Sequence, residues 1–537
     1  MKIRLVWNYV FSLLAIALLS ASSASHLYQS DEFVDFPQKY AWAKASPSVV
    51  WCGDPESTTT LEVHIVGRDD VRRVWLTGLG NTGLDRRGEL FDDGSHGDLT
   101  ANDNIYTLAD YRLPCKLSEL AGQGWGHWEG FLRVELSDGT QAGNWYPLPR
   151  IGIVDRKFQN TFEVQDYGNG LSATAYAFFI NDSQHEIFSE YPLSELICGR
   201  SNFQAYQKLY SVFPDMFDFA AVMPGMQIFH PDGFGENVPY AVRVSNQVEN
   251  IGMGSYDNTE IFGSAGRLRT VIFHSFGDIA IMDHELGHAW AAYVGQSLGL
   301  LVDEDGVYMH WITRSDVAGQ MGGAIFLEDG KNGQLAYNGD ETWRWVSPSE
   351  ILPYSPLELY LMGMIPASEV PDVHILEDPD YSDPLRITAK SYKTITIDQI
   401  LQAEGGERVP SVAESQKDFN LAFIAFQDEP FNDAAYAFFS LLSHEMMSKN
   451  PPWENSYYAP FYWATGGRGT LDTRLPVEVE SPAYLPGDAN PTPQAPDSSP
   501  AENSSPQGQL QICGNLFGVV GLVIALGTFQ LFKKRTG

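Results

Sequence analysis

The chain has 537 residues and a formal net charge of −34, from 34 basic and 68 acidic side chains. This length allows several domains, and 44% hydrophobic with 19% charged residues is an ordinary globular mixture, which excludes wholesale disorder. So acidic a chain lacks the basic surface that a phosphate backbone requires, and nucleic acid is not expected as a partner. Four cysteines are too few for a scaffold built on disulfides.

Both ends of the chain carry apolar targeting segments. Residues 1–24 combine a basic start, an apolar run and small residues, which predicts a cleaved signal peptide rather than an N-terminal anchor. Residues 513–537 contain a long uncharged run followed by Lys-Lys-Arg, which predicts one transmembrane helix with a cytoplasmic tail. Residues 477–512, rich in Pro and Ser, predict a disordered stalk. We therefore expect a single-pass cell-membrane protein with its ectodomain outside.

Residues 25–156 have the pattern of an all-β domain. Short runs that alternate apolar and polar residues are separated by turn residues, which predicts an antiparallel β-sandwich. The clearest runs are residues 61–66, 71–76 and 131–136. Cys52 and Cys115 both lie in this segment and can pair in an oxidising compartment.

An acidic loop, FDDGSHGDLTANDNIY, occupies residues 91–106. It resembles the DDGxxGDxxxxDxxY segment of immunoglobulin-like modules in bacterial surface proteins, and the resemblance implies an immunoglobulin-like sandwich. Carboxylates of Asp93, Asp98 and Asp103 are suitable ligands for Ca²⁺. The alternative is two tight turns, which Asp, Asn and Gly favour for backbone reasons alone.

Residues 159–476 mix strand-like and helical runs, which predicts a second, α+β domain. Expected strands are residues 217–223 and 268–276, and expected helices are residues 279–296 and 431–448.

The motif His-Glu-Leu-Gly-His at residues 284–288 predicts a zinc site. Histidines four residues apart on a helix face the same way, so His284 and His288 can bind one Zn²⁺. Glu285 lies beside them as the expected general base, placed to take a proton from an activated water. The alternative is a pair of core histidines. The preceding strand is expected to hold an extended substrate by backbone pairing.

Catalytic zinc needs a third protein ligand and an open fourth position. The metzincin pattern would place a histidine at Val294, so that pattern is excluded. His310 is the first alternative, and Glu358 on a second helix is the other, although Ser355 with Glu358 also forms a capping box. Less favoured acidic alternatives are Asp303, Glu304 and Asp316. Tyr308 and Tyr360 are candidates for stabilising an oxyanion.

Several motifs together give the second domain a recognisable pattern. They are HELGHAW (284–290), His310-Trp311, YSPLELYLMGMIP (354–366), residues 395–411 and ATGGRGTLDTRL (464–475). This set resembles a family of exported bacterial proteins with an HExxH zincin domain, over about residues 240–476. The resemblance implies a zincin-like metallopeptidase fold with His284 and His288 as ligands and Glu285 as catalytic base. The chain departs from the family pattern at Glu358, where Asp is expected.

These observations predict a membrane-anchored extracellular zinc endopeptidase acting on extracellular protein or peptide. The same metal site would also suit hydrolysis of another ester or amide bond. The alternative from another class is a surface-display or adhesion protein whose zincin-like domain is catalytically inactive. A third alternative, a calcium-stabilised component of the cell envelope, rests on the acidic bias alone.

Overall fold

The structure is a computed structural model with a strand-rich, multi-sheet architecture and few helices. The residues that it describes are 34–36, 40–77, 88–113, 115, 117–120, 123–183, 202–224, 240–273, 282–301, 309–322, 325–326, 332–346, 353–449, 460–480, 482 and 485–486.

Twenty-four strands lie in the described residues. They are β1 Val34–Asp35, β2 Ala41–Ser46, β3 Val49–Cys52, β4 Thr59–Ile65, β5 Val71–Thr77, β6 Glu89–Leu90, β7 Ile105–Tyr111, β8 Trp125–Leu136, β9 Gln141–Asp155, β10 Gln165–Gly168, β11 Leu171–Ala173, β12 Phe178–Asn181, β13 Phe219–Pro224, β14 Tyr240–Arg243, β15 Ser245–Asn246, β16 Tyr256–Asp257, β17 Thr270–Phe273, β18 Ile325–Phe326, β19 Asn332–Tyr337, β20 Trp343–Val346, β21 Val373–Asp380, β22 Thr388–Ile395, β23 Asp418–Gln427 and β24 Thr470–Asp472.

The described residues also contain six α-helices. They are α1 Asn202–Val212, α2 Met282–Gly287, α3 Pro356–Met362, α4 Ile397–Glu404, α5 Asp433–Met447 and α6 Phe461–Ala464.

The first nine strands form two sheets that share one core. One sheet has the order β1-β9-β8-β5-β6 with β3 also paired to β9, and the other has the order β2-β4-β7. Alternate residues of β4, such as Leu61 and Val63, point inward against Val74 and Leu132 of the larger sheet. All three strands predicted in this segment are present.

A disulfide joins Cys52, at the end of β3, to Cys115, with their Cα atoms 5.5 Å apart. The two cysteines that the sequence identified as able to pair are therefore bonded in the structure. The bridge ties the end of β3 to the segment that follows β7.

An eight-stranded sheet forms the centre of the remaining residues. Its order is β10-β11-β12-β23-β13-β17-β14, with β24 paired to β23. The central pairs β12–β23, β23–β13 and β13–β17 are parallel, whereas β14 runs antiparallel to β17. Central strands that are covered on both faces have nearly continuous apolar sequences, and β13 and β23 follow this rule.

Each face of this sheet carries a separate core. Phe219 and Ala221 of β13 point into the core with α2, α3 and α5, whereas Ala220 and Val222 point into the core with α1. The two-residue period of a strand thus divides one apolar run between two layers. Three small sheets, β15-β16, β18-β19-β20 and β21-β22, lie outside it.

Helix α5 connects the central sheet with the strands near the N-terminus. Its N-cap, Asn432, accepts a hydrogen bond from Ala435 N and donates one to the carbonyl of Val49 in β3. Further along, Phe438 packs edge-on against Trp125 of β8, with ring centroids 5.7 Å apart. The helix therefore packs against both groups of strands.

A buried carboxylate lies in this contact. The indole Nε1 of Trp125 donates to Glu445 Oε2 at 2.7 Å, while Glu445 Oε1 is buried and has no hydrogen-bond partner within the described part of the chain. Burial raises the pKa of the Glu445 carboxyl well above its ordinary value, and the bond from Trp125 opposes that rise.

We expect Glu445→Gln to stabilise the protein at neutral pH. The folded state holds the Glu445 proton more tightly than the unfolded chain, so its contribution to stability is full below about pH 4.3 and is lost as pH rises through the folded pKa. Glutamine keeps an acceptor for Trp125 and does not ionise. The midpoint of thermal unfolding should rise by about 1–3 °C at pH 7.5 and change little at pH 4.

The exposed control Glu369→Gln should shift neither midpoint. An equal gain of Glu445→Gln at both pH values would contradict a raised pKa of Glu445 in the folded state.

The predicted targeting segments fall beyond the described residues. The signal peptide 1–24, the anchor 513–537 and the stalk from residue 487 onward all lie outside them, so these remain predictions. Within the described residues, no helix is both long and apolar enough to cross a bilayer.

Candidate metal centre

The HExxH motif lies on the short helix α2, Met282–Gly287, and the turn that follows it. The predicted helix extended to residue 296, which is wrong. Hydrogen bonds from Trp290 N and Ala291 N both end on the Gly287 carbonyl, and the chain then leaves the helix. Residues 290–294 are all buried, and a segment with no polar side fits a turn inside the core better than an amphipathic surface helix.

Three histidines meet at this helix. The ring centroids of His284, His288 and His310 form a nearly equilateral triangle with sides of 4.9, 5.1 and 5.2 Å. One nitrogen from each ring lies within 4.8 Å of the other two, and the Nε2 atoms of His284 and His310 are 3.1 Å apart. Ligand nitrogens around tetrahedral zinc are about 3.4 Å apart, so small ring movements would complete such a site.

The tautomer of His284 is fixed by the backbone. Its Nδ1 lies 2.6 Å from the carbonyl oxygen of Gln320, which can only accept, so Nδ1 carries the proton. The lone pair of Nε2 therefore points toward His310. A backbone carbonyl on the remote ring nitrogen is the usual way in which proteins orient metal-binding histidines.

The environment keeps all three imidazoles neutral. Burial lowers the pKa of His284, and burial together with the neighbouring histidines lowers the pKa of His288 well below its ordinary value. Burial and then His284 lower the pKa of His310 to about 3. Neutral imidazole is the form that binds metal ions. His284 and His310 are half-buried, whereas His288 is buried.

Glu285 lies next to the histidines with one free oxygen. Its side chain is 3% exposed, and Oε2 has no hydrogen-bond partner among the described residues. Burial raises the pKa of Glu285 to about 8, against the opposing effect of a backbone hydrogen bond from Ala241 in β14. A nearby cation would favour the ionised form.

Two tyrosines hold the motif segment from either end. Tyr354 donates its hydroxyl proton to the Asp283 carbonyl, and Tyr293 donates to the His288 carbonyl at 2.8 Å. Gly287 permits close packing at the centre, because a Cβ there would lie 2.5 Å from the sulfur of Met321. Sequence reasoning missed Tyr293, since it was counted as a continuation of the helix.

Glu358, the alternative third ligand, lies in a different place. Its fully buried carboxylate accepts four hydrogen bonds, which occupy all of its lone-pair positions. The donors are Ser355 N at 2.6 Å, Gln320 N at 3.1 Å, Met321 N at 2.8 Å and Trp311 Nε1 at 2.9 Å. The predicted capping box with Ser355 is present. Glu358 therefore supports the segments that carry His310 and the Gln320 carbonyl, and does not itself face the three rings.

The other predicted residues are dispersed or outside the described part. Tyr308, Asp303 and Glu304 lie outside the described residues. Tyr360 is described, and its hydroxyl accepts a hydrogen bond from Arg408 N at 2.9 Å. The carboxylate of Asp316 lies 2.7 Å from His374 Nδ1. No contact of Tyr360 or Asp316 with the three histidines occurs within the described residues.

The strand beside the site is not the predicted one. Strand β17 precedes α2 as expected, but both of its edges are already paired, with β13 and with β14. A strand that is paired on both sides cannot accept a substrate strand. Strand β14 ends the sheet among the described strands, and the backbone of its Ala241 reaches Glu285.

The acidic loop at residues 91–106 differs in one residue from the predicted set. Asp92, rather than Asp93, groups with Asp98 and Asp103. Asp92 accepts hydrogen bonds from Asp103 N and Asn104 N, and Asp98 accepts them from two further backbone N–H groups. The carboxylates thus stabilise tight turns, and Ca²⁺ binding stays a prediction.

Zinc fits the residues present. Three neutral nitrogen donors converge, two of them on partly exposed rings, a carbonyl fixes one ring, and Glu285, the residue after His284, has a carboxylate oxygen without a partner in the described part of the chain. Three protein ligands with an open position are typical of catalytic zinc sites, whereas structural sites are closed by four. Comparisons of the chain with protein-family models, with curated proteins and with solved structures return no match.

Proposed function

We propose that this protein is a zinc-dependent hydrolase that cleaves peptide bonds, built on a zincin-like domain that follows an immunoglobulin-like sandwich. One observation carries the proposal: His284, His288 and His310 converge, and Glu285, which follows His284 on the same helix, has a buried carboxylate whose Oε2 has no partner among the described residues. Zinc bound there would supply Lewis-acid chemistry, activating a water and polarising a carbonyl.

The residues of the chain have separate roles in this proposal. The three imidazoles hold the ion, and the Gln320 carbonyl keeps His284 in the tautomer that binds it. Glu285 accepts the proton of the attacking water and delivers it to the leaving amine. The buried position of Glu285 excludes bulk water, which would otherwise compete for that proton.

The edge strand supports a peptide as the substrate. Strand β14 has no described partner on its outer side, and its backbone at Ala241 reaches the general base. An extended peptide can pair with such an edge through main-chain hydrogen bonds, which would bring its carbonyl to the metal centre. As part of the same proposal, the predicted signal peptide and the predicted C-terminal anchor would hold this site outside the cell at the membrane.

Metal analysis and hydrolysis of an unfolded protein test the proposal. The purified full-length protein should contain about one zinc per chain and cleave a reduced, alkylated protein substrate. A chelator should abolish cleavage, and added Zn²⁺ should restore it. Protein without zinc that cleaves nothing after Zn²⁺ is added would remove the proposed function and favour a role in surface adhesion.

A further inference from the structure

A hollow of about 370 Å³ opens at the end of strand β14, beside the metal centre. Arg243, the last residue of the strand, lines it together with Tyr256, Tyr293 and the segment 252–254. Tyr293 links the hollow to the metal centre, because its hydroxyl donates to the carbonyl of His288.

The guanidinium of Arg243 is held in place without a carboxylate partner. Its Cζ lies 4.7 Å from the centroid of the Tyr293 ring, and Nη1 lies 3.1 Å from the sulfur of Met253. Its partners among the described residues are Tyr293, which also shares a side-chain hydrogen bond with it, and Met253, and neither carries a carboxylate. The guanidinium has five N–H donors and is exposed, so donors remain for a ligand beyond those that Tyr293 and Met253 engage.

Glycines keep the hollow open. Gly252 has φ +78°, and a Cβ there would lie 2.2 Å from the carbonyl oxygen of Tyr293, so only glycine allows this approach. A Cβ on Gly254 would meet no atom within 4 Å, so the space next to it is empty. The result is a polar recess with one cation in its wall.

Strand geometry sets the distance between this cation and the general base. Ala241, whose backbone reaches Glu285, and Arg243 are alternate residues of one strand, about 7 Å apart along it. On the basis of the proposed function, we propose that Arg243 binds a carboxylate of the substrate peptide, about two residues from the cleaved bond. The planar guanidinium matches the two oxygens of a carboxylate, and packing on Tyr293 holds it ready.

Cleavage of a complex peptide mixture by the full-length protein tests this inference. Asp and Glu should be enriched at one position about two residues from the cleaved bond. Arg243→Gln should remove the enrichment while the mixture is still cleaved, and Arg243→Lys should keep part of it. Arg386→Gln, an exposed arginine paired with Asp340, is the matched control and should keep the wild-type profile.

A binding measurement separates recognition from catalysis. The Glu285→Gln protein should bind the best acidic peptide from the mixture at least about tenfold more tightly than the same peptide with Glu replaced by Gln, and adding Arg243→Gln should equalise the two affinities. If the preference instead follows a free C-terminus, amidation will abolish it, which identifies the terminal carboxylate as the ligand.

Two outcomes would overturn the inference in distinguishable ways. Cleavage with no acidic preference, or a preference that Arg243→Gln leaves intact, refutes the carboxylate site and leaves the proposed function standing. Protein that neither cleaves nor binds any peptide in the mixture refutes both.

Discussion

Glu285→Gln should reduce kcat/KM for peptide hydrolysis by at least about 10³-fold and leave about one zinc per chain. Glutamine has nearly the same shape, so it can occupy the same buried position beside the histidines, but its amide cannot accept a proton at neutral pH. The substitution replaces one carboxylate oxygen by an amide NH2 group, and with it removes the negative charge and the proton acceptor. The ligands, the Gln320 carbonyl and strand β14 all remain.

Parallel measurements of zinc content, thermal unfolding and hydrolysis identify the cause of the loss. An unchanged zinc content and unfolding midpoint would assign the loss of rate to proton transfer. Glu260→Gln, at an exposed position of the short 3-10 helix Thr259–Phe262, is the matched control and should keep wild-type activity. Retained hydrolysis in the Glu285 variant would refute its role as general base, and activity lost together with zinc would show a structural effect.

Local signals in the sequence predicted the parts of the fold that depend on local physics. Alternation of apolar and polar residues identified β4, β5 and part of β8. Buried residues alternate with partly buried ones along β4 and over residues 131–135 of β8, whereas β5 has three consecutive buried residues, Val74 to Leu76. Ser355, Pro356 and Glu358 predicted the start of α3, since a capping box satisfies the first free N–H groups of a helix.

The same local reasoning failed where tertiary packing decides the structure. In the sequence, the apolar run after His288 continues the helical pattern. In the structure, its residues are buried in the core, and the chain turns so that the Tyr293 hydroxyl reaches the His288 carbonyl. The substrate strand was assigned to the one nearest in sequence, β17, because edge and centre cannot be distinguished within a single strand. No sequence pattern predicted a binding role for Arg243, since the role of an isolated arginine depends on the residues that surround it in the fold.

The third ligand illustrates the limit most clearly. His310 follows His288 by 22 residues, a separation with no helical or strand period that would bring the two rings together. Glu358 was a reasonable competitor because a carboxylate on a second helix would complete the same site. Only the fold shows that the Glu358 oxygens are already occupied by four N–H donors.

We therefore expect His310→Ala and Glu358→Gln to affect zinc binding to very different extents. His310→Ala removes a nitrogen donor and should leave the purified protein essentially without zinc. Glu358→Gln keeps all three imidazoles, but it disturbs the Gln320 segment that orients His284 and the Trp311 indole next to His310. Loss of such outer support typically lowers metal affinity by about 10–100-fold.

Stability should follow the opposite order. Glutamine at position 358 leaves some of the four buried N–H donors without an acceptor, at a cost of about 1–3 kcal/mol for each, partly offset because a buried charge is removed. His310 is half-buried and supports no comparable network, so His310→Ala should lower the unfolding midpoint of the metal-free protein less.

Zinc titration followed by competition with a chelator measures the order of zinc affinities, and thermal unfolding of metal-free protein measures the order of stabilities. Equal zinc affinity in the two variants would refute the distinction between ligand and support. If Glu358→Gln alone lost zinc completely, Glu358 would be the ligand and His310 would not. The Glu358 carboxylate would then have to turn from its four donors toward the metal.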